Sequence, residues 1–80
     1  MAELELSDPD LLILDYMHQH RGYHSPYEIG RHIGADGRTV AAALERMAAA
    51  GLVRKSLATP VYGITEKGRA VVGEEMGTLP

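Results

Sequence analysis

The chain has 80 residues, enough for one small domain. It lacks cysteine, which excludes a disulfide framework and any cysteine-ligated zinc site, and no apolar run approaches the roughly 20 residues that span a bilayer. Its net charge of −3 is unevenly spread: residues 1–20 hold five acidic and no Lys or Arg side chains, whereas residues 21–72 hold all eight basic residues against four acidic ones.

A basic segment inside an acidic protein is the kind of local patch that a binding surface for a polyanion needs. The start, MAELELSDPD, lacks the basic-then-apolar pattern of a signal peptide. A soluble, cytoplasmic protein with no membrane partner is expected.

Asp8-Pro9 reads as a helix start, with Asp8 as N-cap and Pro9 at the first helical position, where a missing N–H is harmless. The helix runs through DLLILDYMHQH and is expected to end near Arg21-Gly22. Leu11, Leu14, Met17 and His18 share one face at three- and four-residue spacing, and Leu12 and Tyr16 fall on the opposite face. A helix apolar on two sides needs two partners.

Tyr23-His24 is a stub of strand. In SPYE, Ser25 is an N-cap, Pro26 sits in the first turn and Glu28 lies three residues on, the pattern of a capping box. This helix is brief, buries Ile29 and Ile33, and stops at Gly34. Asp36 restarts a helix almost at once. Two helices joined by a short glycine-containing turn are a helix-turn-helix signal.

The helix DGRTVAAALERMAAA carries an unusual amount of alanine. With Val40 at zero and about 100° per residue, Leu44 and Met47 fall near the same azimuth, and Ala43 flanks them. The opposite arc carries Arg38, Thr39, Ala41, Ala42, Glu45, Arg46 and Ala49. Alanine is the best helix former and could fill a solvated face. The functional alternative is that small side chains let this face enter a DNA major groove about 12 Å wide, where an alanine methyl touches thymine and arginine bonds guanine. Arg38 and Thr39 stand in the first turn, where recognition helices reach bases.

After Gly51, LVRKSL and VYGIT read as two strands linked by ATP, with Tyr62 and Ile64 facing the core. Thr65-Glu66-Lys67 opens a last helix through Val72, weakened by Gly68 and Gly73.

The order of these pieces resembles the winged-helix transcription regulators of bacteria and archaea, in the manner of small MarR-like or phage-repressor-like archaeal proteins. Two stretches carry the resemblance. One is Leu44-x-x-Met47-x-x-x-Gly51-Leu52-Val53; the other is Tyr62-x-Ile64-Thr65-x-Lys67-Gly68.

The resemblance implies a mostly helical α+β fold: a three-helix helix-turn-helix core, a two- to three-stranded β wing and a short C-terminal helix. The domain would occupy residues 8–75, with an N-terminal arm at 1–7 and a frayed tail at 76–80. It implies duplex DNA as partner, with helix 36–50 in the major groove and wing 52–64 on the backbone. Carried over by position, Arg38, Thr39, Ala42 and Arg46 would meet bases or phosphates, Ser25 and Tyr27 phosphates, and Arg54, Lys55 and Thr59 would act from the wing. The wing tip SLATP is short and nearly uncharged, which does not suit deep minor-groove insertion.

Leu4, Leu6, Leu12, Tyr16, Val72 and Met76 are apolar residues outside the core motif. Either the termini pack on the first helix within one chain, or they build a homodimer that sets two recognition helices about one DNA turn apart. The HQHRGYH segment has the look of a metal clip, but His18 and His20 are about 200° apart on a helix. No metal, no cofactor, no small-molecule ligand and no catalytic residue is expected. A repressor is the reading favoured by the sequence; a winged-helix protein–protein module of a transcription or replication complex is the alternative.

Overall fold

The structure is a computed structural model that describes residues 6–75, with side chains described through residue 73. Leu4 and Met76 lie outside the described residues.

Helix α1 spans Asp8–Gln19. Its N-cap is Ser7 rather than Asp8. The Ser7 hydroxyl accepts from the Asp10 N–H at 3.3 Å, and the Asp10 carboxylate accepts from the Ser7 N–H at 3.1 Å. This reciprocal box satisfies two otherwise orphaned donors, which a cap at Asp8 would not do. The helix stops at Gln19, with His20 as C-cap. Its buried stripe is Asp10, Ile13, Leu14 and Met17, so it is rotated away from His18, which is exposed, and from Leu11, which is half-buried.

Helix α2 spans Pro26–Ile33 and is capped by Ser25, whose hydroxyl accepts from the Glu28 N–H at 3.1 Å. The other half of the expected capping box is missing, because the Glu28 carboxylate is taken by Tyr16 and His24. Gly34 ends α2 in the left-handed conformation at φ 74°, a position that favours glycine. Gly30 allows the turn to fold back: a Cβ there would stand 2.5 Å from the Ala35 carbonyl oxygen.

Helix α3 spans Gly37–Ala49 and buries Val40, Ala43, Leu44 and Met47, as its wheel predicts. It closes in a Schellman motif. The Gly51 N–H bonds the Ala48 carbonyl, the Leu52 N–H bonds the Met47 carbonyl, and Gly51 sits at φ 84°.

Strands β1 (Val53–Lys55) and β2 (Tyr62–Ile64) form an antiparallel hairpin with Val53 opposite Ile64, Arg54 opposite Gly63 and Lys55 opposite Tyr62. His24 adds an isolated bridge to Tyr62 through two 2.9 Å bonds, so the stub of strand expected there exists.

Helix α4 spans Glu66–Glu75. Thr65 joins it to the end of α3: its hydroxyl donates to the Gly51 and Leu52 carbonyls and accepts from the Gly68 N–H. Gly68 is required by that junction, since any Cβ would overlap the Leu52 carbonyl oxygen.

The core draws on every element, with Leu14, Ile29, Val40, Leu44, Met47, Leu52, Tyr62 and Val72 among its buried members. Val72, expected among the dimer contacts, is filled from inside the chain at 2% exposure, and Leu6 packs against the same core. Among the described residues no helix is long and apolar enough to cross a membrane.

Candidate nucleic-acid interface

The interface begins with the exposed arc of α3. Arg38, Thr39, Ala42, Glu45, Arg46 and Ala49 are exposed, and Ala41 is half-buried at its edge. Tyr27, in the first turn of α2, is 71% exposed. Its ring lies over Gly37, where a Cβ would come within 2.5 Å of ring carbon Cδ1. The start of α3 and the start of α2 therefore present one surface that holds Tyr27 next to the first turn carrying Arg38 and Thr39. Ser25 is half-buried, with its hydroxyl committed to capping α2.

Two charged residues of the arc are tied into the fold. Arg46 donates from both terminal nitrogens to the two carboxylate oxygens of Asp10, at 3.1 and 3.3 Å. Asp10 is buried while the Arg46 side chain stays 57% exposed. Burial alone would push the Asp10 carboxyl up, but the bonds from Arg46 and from the Ser7 N–H outweigh it and hold it below its usual value. The same pairing raises Arg46.

Glu45 accepts from the Tyr62 hydroxyl and, at 3.3 Å, from Lys55 Nζ. These bonds, the Tyr62 one foremost, hold the Glu45 carboxyl below its ordinary value. Burial and then the Glu45 bond push the Tyr62 phenol up to about 12. Glu45 thereby fastens the wing to α3.

The strand alternation separates the two wing cations. Lys55 shares the face of Val53 and Tyr62 and reaches α3. Arg54 points to the other face, opposite Gly63, into a cleft that it lines with Arg21 and Arg69. Of the residues expected to act together, Tyr27, Arg38, Thr39, Ala42, Arg46 and Lys55 are thus brought onto or beside the α3 arc, and Arg54 is not.

Thr59 is exposed on the wing tip between β1 and β2. Leu57 on the same tip is fully exposed, an apolar residue that sequence reasoning passed over.

Of the dimer candidates, Leu12 is 44% exposed on α1 and Tyr16 is half-buried beside it. The Tyr16 ring is surrounded by His20, His32 and His24, with ring centroids 4.3, 4.5 and 5.2 Å away. Its hydroxyl donates to Glu28 at 2.8 Å. Partial burial and that bond raise the Tyr16 phenol, and the bonds from Tyr16 and then His24 lower Glu28. His24 faces the Glu28 carboxylate with Nδ1 and the His20 carbonyl with Nε2, both at 2.7 Å. Both partners are acceptors, so both contacts are hydrogen bonds only when each ring nitrogen carries a proton. Among the described residues no group of three or more His, Asp or Glu side chains is arranged to hold a metal ion.

No family model and no curated protein sequence matches the chain. Among solved structures, the crystal structure of the MarR family protein Rv2887 of Mycobacterium tuberculosis matches with a TM-score of 0.76 at 25% sequence identity. The chain has the winged-helix fold of MarR-family proteins. The match covers 86% of this chain and 50% of that one, so the chain spans about half the length of this relative. In this MarR-like winged helix, α2 and α3 are the helix-turn-helix and β1–β2 is the wing.

Proposed function

We propose that this MarR-like domain binds duplex DNA with α3 in the major groove and regulates transcription in the cytoplasm, as a repressor that occupies its operator. The observation that carries the reading is the exposed arc of α3. Its small side chains, Ala42 between Arg38 and Arg46 and Ala49 about one turn beyond, permit close approach to base edges.

Arg38 and Thr39 are the base-contacting candidates, with Ala42 against a thymine methyl. Tyr27, Lys55 and Thr59 are phosphate candidates, and Ser25 presents the N-terminus of α2 to the backbone. Arg46 serves twice, holding Asp10 and offering its exposed edge to DNA. Arg54 takes no part in contacts made by α3. The domain acts as a homodimer through the exposed side of α1, with Leu12 and Tyr16 at its centre.

The reading is tested by selecting duplexes from a random-sequence library with the purified chain. Enriched near-palindromic sites with half-site centres about one helical turn apart support it; recovery of no enriched sequence argues against it. A protein–protein module is the second reading, favoured by the fully exposed Leu57 and by the pairing of Arg46 and of the wing's Lys55 within the chain.

A further inference from the structure

The face of the wing turned away from α3 holds a cleft of about 470 Å³. Three arginines from three separate elements line it: Arg21 from the α1–α2 link, Arg54 from β1 and Arg69 from α4. Among the described residues none of the three makes an ion pair. One carboxylate, Glu66, shares the cleft. Tyr23 and Gly63 form part of the wall, the ring lying against bare backbone where a Cβ on Gly63 would be 3.3 Å away.

We propose that this cleft binds a small phosphate monoester through its phosphoryl group. Three guanidinium groups against one carboxylate leave two positive charges, and a phosphate monoester carries close to two negative charges near neutral pH. Arginine suits phosphoryl oxygens because its planar fork donates two parallel bonds. The volume is within the range of small-molecule sites and exceeds what a bare phosphate fills, leaving room for an organic body beside Tyr23. Like charges gathered without counterions repel one another, and a dianion removes that repulsion. A DNA phosphodiester carries one charge and would approach from the α3 side, which Arg54 does not face.

The test is calorimetric titration of the full chain with glycerol 3-phosphate at fixed ionic strength, with acetate as the monoanion control. Arg21→Gln and Arg69→Gln are compared with wild type after circular dichroism confirms their fold. The expected result is saturable binding with one site per chain, weakened roughly tenfold or more by either variant. Glu66→Gln is expected to tighten it, and acetate to bind far more weakly. Absence of saturable binding overturns the proposal. So does equal binding of acetate, or binding indifferent to Arg69→Gln. If the variants instead flatten the salt dependence of duplex DNA binding while glycerol 3-phosphate gives no heat, the arginines serve the DNA backbone and the proposal falls.

Discussion

Arg46 on α3 grips Asp10 in the first turn of α1 with both terminal nitrogens, across 36 residues of sequence. The same Asp10 carboxylate closes the capping box of α1. One buried acid therefore sets the start of α1 and the rotation of α3 together.

Arg46→Ala leaves the buried Asp10 with the Ser7 N–H alone. The expected loss is about 1–3 kcal/mol, toward the lower end because the guanidinium is half exposed to solvent. Asp10→Asn in the Arg46→Ala background should recover part of it by removing the uncompensated charge. Urea unfolding of the two single variants and the double variant checks this coupling. Any loss of DNA affinity in Arg46→Ala must be measured on the folded fraction.

The wing has its own fastening. Tyr62→Phe keeps the buried ring and removes the bond to Glu45, and should destabilise by about 0.5–1.5 kcal/mol. The phenol, held up to about 12, binds its proton more tightly in the folded than in the unfolded chain. Its contribution to stability is therefore present below the ordinary tyrosine value of about 10 and is lost as pH rises from there through about 12. In a spectrophotometric alkaline titration Tyr62→Phe should remove a late phenolate step and leave the raised Tyr16 phenol in place.

Acid acts through the opposite sign. The Asp10, Glu28 and Glu45 carboxyls are all held below their ordinary values, so the unfolded chain binds more protons at low pH. Their stabilisation is fully present above the ordinary carboxylate range of about 4 and is lost as pH falls below it. Melting temperature should fall steadily on that limb, and Asp10→Asn should flatten it. A wild-type melting temperature independent of pH from 5 to 2 would contradict these assignments.

Much of the frame was legible because its signals are local. Ser25, Gly34 and Gly51 mark helix ends within a few residues of their effect, and Val40, Ala43, Leu44 and Met47 repeat at helical spacing. The interface was less legible because its partners are remote in sequence. Nothing local in Arg46 points to Asp10, and nothing in Glu28 announces that Tyr16 and His24 will draw it away from its capping role. The parting of Arg54 from Lys55 was available from the two-residue alternation of a strand and was passed over.

Gly37 offers a separation of function. Alanine there favours the helix, by less than the roughly 1 kcal/mol of a helix interior because Gly37 is the first residue of α3, yet its methyl would strike the Tyr27 ring. That ring is exposed and can swing aside, so Gly37→Ala should keep or raise stability while displacing Tyr27 from the start of α3. Thermal unfolding beside DNA titration checks the pair of expectations: an unchanged or higher melting temperature with weaker DNA binding.

The most direct measurement is binding of the purified chain to random-sequence duplex DNA across a salt series, wild type beside Arg38→Ala and Ala42→Glu. Neither side chain is buried, and Arg38 makes no ion pair among the described residues. With α3 in the groove, wild-type affinity falls steeply with salt, Arg38→Ala flattens the slope by about one unit, and Ala42→Glu abolishes binding through its charge and bulk. Failure of the wild type to bind at low salt, or binding by Ala42→Glu equal to wild type, would contradict DNA recognition by α3.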